Sequence, residues 1–532
     1  MPINWDYEPE VIDSQRDDDS LVQKHGKISF RYISRPPQNF WFIRPHALNY
    51  FKDGVLHRTK GERSSSTLEL FVDLLYVGLI TNLAGEAAKE STGLSLLKYF
   101  LYFMPIWQVW CDIKDGVNYY YNEDFTQKLY VFFIIVLLMF YANSHSKAPE
   151  SLQGAALTIV PYMIARVSLA TLYLFYSCWI PQHRLQMRFY ALSIYVTSCL
   201  WIIVIFVGNR AKVGVSIAIF ALENASFIYA YSPMIKRTFK LTMSTALNLE
   251  HEIERFSAFV TVAIGEYPYK AVATAPIGAG FNIRLARGVF MLLIAYILFW
   301  IYNYGSTIQR RVHPLRRSAT TACLFIYSHL PLIAAIVLSA DASGDLIKVE
   351  NGSTKRGATG LTHDEHQSAG SEALVLLKRS VVQAASAGEE ESHNMFGLSF
   401  YFAGGIGVSL LSMWVLGMLF KDEDEKCTFV LPRWARIGWR LPVGVGIAML
   451  PFAEMDVTLL MGMTSVMLGF VFIWESVFQT PTATWFKFNL VEPAAIAREE
   501  EEENRAHRHR QSPRASQEYE DTIEERKPSV SP

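Results

Sequence analysis

From residue 68 to 478 the sequence is laid out as a succession of apolar runs, each about as long as the hydrocarbon core of a bilayer is thick. They fall at 68–88, 94–111, 128–145, 156–179, 190–208, 212–232, 251–267, 285–305, 319–341, 396–420, 434–453 and 456–478, which makes twelve. A segment inside lipid must satisfy its own backbone hydrogen bonds, and these runs are about twice as long as barrel strands, so helices are expected. The expected fold is all-α: a polytopic transmembrane helix bundle of about twelve spans with a disordered C-terminal tail. Two runs fit less well. The one at 251–267 opens on HEIER and closes on Glu266, and the one at 434–453 is interrupted by Pro442.

The charged residues, 19% of the chain against roughly 25% in soluble domains, sit mainly outside these runs. They divide the chain into an N-terminal segment 1–67, spans one to nine at 68–341, a polar loop 342–395, spans ten to twelve at 396–478 and a tail 479–532. The start, MPINWDYEPEVIDSQRDDDS, is acidic where a cleavable signal would be basic, so the first span is expected to act as its own insertion signal. A net charge of −1 supplies no field for nucleic acid. The five cysteines form no CxxC pair and read as packing residues.

Short loops set orientation through their positive charge. With the N-terminus inside, the inner loops carry sixteen Lys or Arg, Lys114, Arg433, Arg436 and Arg440 among them; the outer loops carry eight, including Lys270 and Arg287. Both termini are therefore expected in the cytoplasm, with plasma membrane and endomembrane left open. The loop 342–395 then faces outward with a sequon at Asn351, a glycosylation candidate. His363 and His366 in HDEH read as solvated, so no metal is expected. Gly278 and Gly280 form a GxG without a preceding strand, which gives no basis for a nucleotide cofactor, and no cofactor is expected. Glycines in FAGGIGVSLLS at 402–412 and PVGVG at 442–446 read as close-packing positions. Phe40, Trp41, Phe42 and Tyr119, Tyr120, Tyr121 read as interfacial anchors.

Ionisable side chains within apolar spans are costly, so they face the bundle interior, pair and mark function. Glu69 and Asp73 lie four apart on one face of span one. His251, Glu254, Arg255 and Glu266 lie on one side of span seven at about 100° per residue. Both spans enter from the same side, so pairing across them is available. Arg166 in span four, Glu223 in span six and His329 in span nine lie near the midplane, and Arg166 requires an anion, with Glu223 the first choice and Asp73 the second.

The blocks ELFVDLLYVGLI at 69–80, HEIERFSAFVTVAIGE at 251–266 and YSHLPLIAAIVL at 327–338 resemble, in this order, the signature blocks of the low-temperature-requirement A (LtrA) family. Trp107 and Trp110, ahead of a tyrosine-rich turn, fit the same pattern. The resemblance implies that Glu69 and Asp73, then His251, Glu254, Arg255 and Glu266, then His329 occupy the family's polar positions. Arg166 and Glu223 lie outside the blocks. The long termini and outer loop suggest a eukaryotic, fungal-like member; the family carries no agreed biochemical activity.

Carboxylates and histidines at several depths are the parts of a proton or cation relay. The leading expectation is an ion- or proton-linked transporter or channel-like protein whose partners are the lipid bilayer and protons or small ions. The alternative is a non-transporting membrane-adaptation or assembly factor in which the polar pairs only hold helices together. An intramembrane enzyme ranks third, because no nucleophile motif accompanies His251 or His329. The sequence does not set the oligomeric state.

Overall fold

The computed structural model describes residues 11–12, 30–34, 40–59, 65–120, 124–273, 280–304, 313–349, 372–421 and 430–479, with backbone alone for 11–12 and 372–394. Asn351, His363, His366, Gly278, Tyr121, Cys427 and the tail lie outside the described residues. All described residues but Val430 belong to one compact unit, 1–423 with 431–479.

All twelve apolar runs fall on helix. The first six are α1 Thr67–Glu90, α2 Gly93–Tyr120, α3 Phe125–Ser144, α4 Leu152–Trp179, α5 Arg184–Phe206 and α6 Asn209–Tyr231. A short α7, Pro233–Thr238, leads to the broken pair α8 Leu249–Ile264 and α9 Glu266–Ala273. Then come α10 Ile283–Asn303, the four-residue α11 Pro314–Arg317, α12 Ala319–Lys348 and α13 Glu372–Leu419. A second broken pair, α14 Arg433–Gly438 and α15 Arg440–Met449, precedes α16 Val457–Phe478.

Among the described residues nine helices are long and apolar enough to cross a membrane: α1, α3, α4, α5, α6, α10, α12, the 395–419 part of α13, and α16. The count of twelve crossings therefore leans on three further elements, α2, α8–α9 and α14–α15, which are interrupted or carry buried charge. The outward faces fit a lipid solvent, with Leu70, Phe71 and Leu74 of α1 and Phe132, Phe133, Met139 and Phe140 of α3 exposed.

Several helix ends are satisfied by side chains. Ser66 caps α1 in a reciprocal box with Glu69, and Asn248 caps α8 by accepting from the His251 amide at 3.3 Å. Arginines take the carbonyl ends, where the helix dipole favours a cation. Arg287 donates to the carbonyls of Leu346, Ile347 and Val349 at the end of α12. Arg433 bonds Phe420 O and Gly417 O at the end of α13, and Arg440 donates to Met413 O one turn earlier. Arg287, Arg433, Arg436, Arg440 and Lys114 are all buried, so five cations counted as loop charge are interior groups. With them set aside the expected loop imbalance becomes twelve against seven.

The glycine clusters do pack closely. A Cβ on Gly407 would stand 2.6 Å from Gly444 O, and one on Gly444 3.1 Å from Gly407 O, so α13 and α15 approach backbone to backbone. A Cβ on Gly405 would meet Ala335 O of α12 at 2.8 Å.

One feature lies outside the all-α expectation. Five short strands, β1 Val11–Ile12, β2 Phe30–Ile33, β3 Asn49–Lys52, β4 Val55–Thr59 and β5 Met243–Thr245, form a sheet in the order β1-β2-β4-β3-β5. It lies at the end of the bundle where α1 and α8 begin and α2 ends: Leu48 N donates to Tyr119 O at 3.2 Å, and β5 leads directly into α8. Strands of two to five residues with aromatic and β-branched side chains leave little pattern to read. Tyr119 and Tyr120, expected as interfacial anchors, are instead buried in a second core beneath the sheet with Tyr50, Tyr173, Tyr176 and Tyr190. Phe40, Trp41 and Phe42 are exposed.

In the sheet, the His57 ring stacks on Tyr50 with centroids 4.9 Å apart. Burial lowers its pKa from the ordinary 6.5, with Arg31 and Lys52 adding to the shift. A base whose folded pKa is depressed contributes stability that is present above the unfolded value and is lost as pH falls toward the folded one. The amides of β4 are thus expected to open more often below about pH 6.5. His57→Phe keeps the stack and should remove this dependence in hydrogen-exchange measurements.

Candidate functional site

The N-terminal halves of α1 and α8 run side by side, with the C-terminal half of α2 against them. Three spacings bring their polar residues into one buried seam: Glu69 and Asp73 on α1, His251 and Arg255 on α8, and Trp110, Lys114 and Asn118 on α2, each set separated by four. Arg255 holds Asp73 in a two-pronged pair, Nη1 to Oδ2 at 2.8 Å and Nη2 to Oδ1 at 2.6 Å, while the Trp110 indole donates to Asp73 Oδ1 at 2.9 Å. Arg255 Nε lies 3.3 Å from Glu69 Oε2. Asp73 and His251 are fully buried and Arg255 is 1% exposed, so each charge depends on its partner rather than on water.

Glu69 divides its carboxylate between two tasks. Oε1 faces the Ser66 cap at the start of α1, with the hydroxyl 3.1 Å away, and Oε2 lies 2.7 Å from His251 Nε2. The other ring nitrogen, Nδ1, lies 3.2 Å from the Asn118 amide nitrogen. Asn118 is fixed from both sides by the backbone of Asn248, whose N–H donates to Oδ1 at 2.8 Å and whose carbonyl accepts from Nδ2 at 3.0 Å. The Asn118 NH2 therefore faces His251, which makes Nδ1 the acceptor and Nε2–H the donor to Glu69.

Beside it, Lys114 pairs with Glu252 and, at 2.7 Å, with Asp115, and its ammonium lies 5.0 Å from the Phe256 ring centre. A cavity of about 10 Å³, room for about one water, is bounded by Glu69, Lys114 and Arg255 on its polar side and by Val72, Ile113 and Val131 on its apolar side.

A second set hangs from the same α2. Asp112 pairs with Arg166 and accepts from Tyr190 at 2.9 Å. Glu223 lies 4.0 Å from Arg166 Nε and accepts from Tyr162 at 3.0 Å and from Trp201 at 3.1 Å. Arg166 and Glu223 are thus brought near each other, but the closer anion is Asp112, and Asp73 is taken by Arg255. At the far end of α1, Lys270 of α9 pairs with Asp341 of α12, whose carboxylate a Cβ on Gly85 would meet at 3.7 Å. Glu266 is half-buried on the first turn of α9, beyond the break at Gly265.

Three expected residues stand apart from the seam. Glu254 faces outward and accepts from the Ser65 amide at 3.0 Å. Glu266 belongs to the far end. His329 is fully buried, but its Nε2 lies 2.9 Å from Tyr302 Oη and its Nδ1 2.7 Å from Phe325 O, while the ring stacks on Phe256. The residues that sequence reasoning missed are Asp112, Lys114, Asp115 and Asn118, while Glu252 falls on the polar stripe of span seven but outside the candidate set. For Lys114 and Asn118 the signal was their i, i+4 spacing from Trp110, continuing beyond the apolar run at 94–111.

Two of the three blocks, 69–80 and 251–266, feed this seam. The family model described as bacterial low temperature requirement A protein (LtrA) matches residues 64–473. No curated protein and no solved structure matches the chain.

Proposed function

The chain belongs to the LtrA family and is a multi-pass integral membrane protein, and on that premise we propose that it is an ion- or proton-linked transporter or channel-like protein with His251 and Glu69 as its proton-exchanging pair. The observation that carries this reading is the bonding of His251 through both ring nitrogens, to a carboxylate on one side and to a helix-capping network on the other. A second proton can enter only at Nδ1, and the resulting imidazolium would be held by the Glu69 carboxylate. The Asn118 amide must then leave Nδ1, and the same amide holds Asn248, the cap of α8. Protonation is thereby coupled to the seating of the start of α8. Arg166, with Asp112 and Glu223, serves as a gate or counter-ion set. Both termini lie on the cytoplasmic side in this reading, which the residual loop-charge excess supports.

A structural role for the pairs is the second reading. It is favoured by the two-pronged Arg255–Asp73 and Arg440–Glu475 pairs, the latter with both contacts at 2.6 Å, whose oxygens are already engaged. Reconstitution of the purified full chain in vesicles separates the two. Under an imposed pH gradient, proton-linked flux above that of protein-free vesicles is expected, and Glu254→Gln, altered on the surface, should leave it unchanged. Folded protein with no flux would favour the structural role.

A further inference from the structure

We propose that the segment 232–241, between α6 and β5, is a binding surface for anionic phospholipid headgroups. Where α6 ends at Tyr231 the chain turns into the short α7, capped by Ser232, whose hydroxyl accepts from Met234 N at 3.2 Å. Ile235 is the buried anchor of this turn. Met234 and Phe239 are exposed at 59% and 46%, and Arg237 and Lys240 are exposed beside them, with Lys236 half-buried. Apolar and cationic side chains interleaved at the end of a spanning helix match the level of the headgroups, with Met234 and Phe239 at the acyl boundary.

The charge on this segment is uncompensated among the described residues. No Asp or Glu occurs between Glu223 and Glu250, and Lys236, Arg237 and Lys240 take part in no ion pair among the described residues. Two other cations at the same end of the bundle are engaged: Arg58 lies 3.7 Å from Glu250, and Arg184 donates to Ser177 O at 3.0 Å. Three free cations on ten residues attract an anionic leaflet by about a fivefold gain in partitioning for each. The segment is also fixed at its far end, where β5 pairs with β3 and Gln186 donates to Thr245 Oγ1 at 3.0 Å, and the next element is α8. Headgroups bound at Lys236, Arg237 and Lys240 would thus clamp the approach to α8.

Binding is read without any transport assay. Full-length protein is placed in nanodiscs of phosphatidylcholine alone, or with roughly a third phosphatidylglycerol to give the leaflet a negative surface. Amide hydrogen exchange over 233–245 is expected to slow about fivefold or more in the anionic discs. The slowing should be lost in K236Q/R237Q/K240Q and weaken at high salt. Equal exchange in the two disc types, or slowing that survives in the triple variant, would overturn the proposal. So would slowing already present in phosphatidylcholine alone that disappears on deletion of 490–532, because the occupant would then be the chain's own acidic tail.

Discussion

Arg255→Met is expected to destabilise the protein by about 3–5 kcal/mol, because it strands Asp73 and half of the environment of Glu69 in the bundle interior without a cation. The side chains are of similar length, so little packing volume is lost and the effect is electrostatic. Asp73→Leu alone should be similarly severe, since it strands Arg255. The double variant should recover most of the loss, as buried pairs replaced by apolar residues often do. Detergent unfolding curves for the four proteins form the cycle, and additive losses would show that the two residues do not act as a pair.

Lys114→Met should cost a comparable amount for a different reason. Lys114 stands between Asp115 and Glu252, and its removal leaves two buried carboxylates without their shared cation. A double variant with Glu252→Gln leaves one buried carboxylate in place of two and should recover part of the loss. Thermal unfolding of the parent and the two variants tests it.

The sequence displayed this site unevenly, for physical reasons. Glu69, Asp73, His251 and Arg255 were legible because they interrupt long apolar runs at helical spacing, and two parallel helices place them at the same depth. Lys114 and Asp115 were not. Hydropathy scores each residue alone, whereas α2 runs on to Tyr120 as buried helix because α8 supplies Glu252 to Lys114 and α4 supplies Arg166 to Asp112. The same blindness turned Arg433, Arg436 and Arg440 into loop charge. Glu254 was placed with the seam because it is near it on a helical projection, yet a turn of about 100° per residue suffices to aim it at Ser65 instead. The environment of His329 depended on Tyr302, which lies on a different helix, and a single sequence carries no record of that contact. The sheet left too few residues per strand to register.

His251 is either a working group or a fitted one, and its two ring nitrogens make the difference measurable. His251→Gln retains a polar side chain of similar reach that can donate to Glu69 but cannot gain a proton. Measured on one preparation, proton-linked flux in vesicles is predicted to fall tenfold or more, on the order expected for losing a proton-transfer group, while the unfolding temperature stays close to that of the parent protein. Flux at the parent level, or a loss of flux that only follows a loss of folded protein, would contradict it.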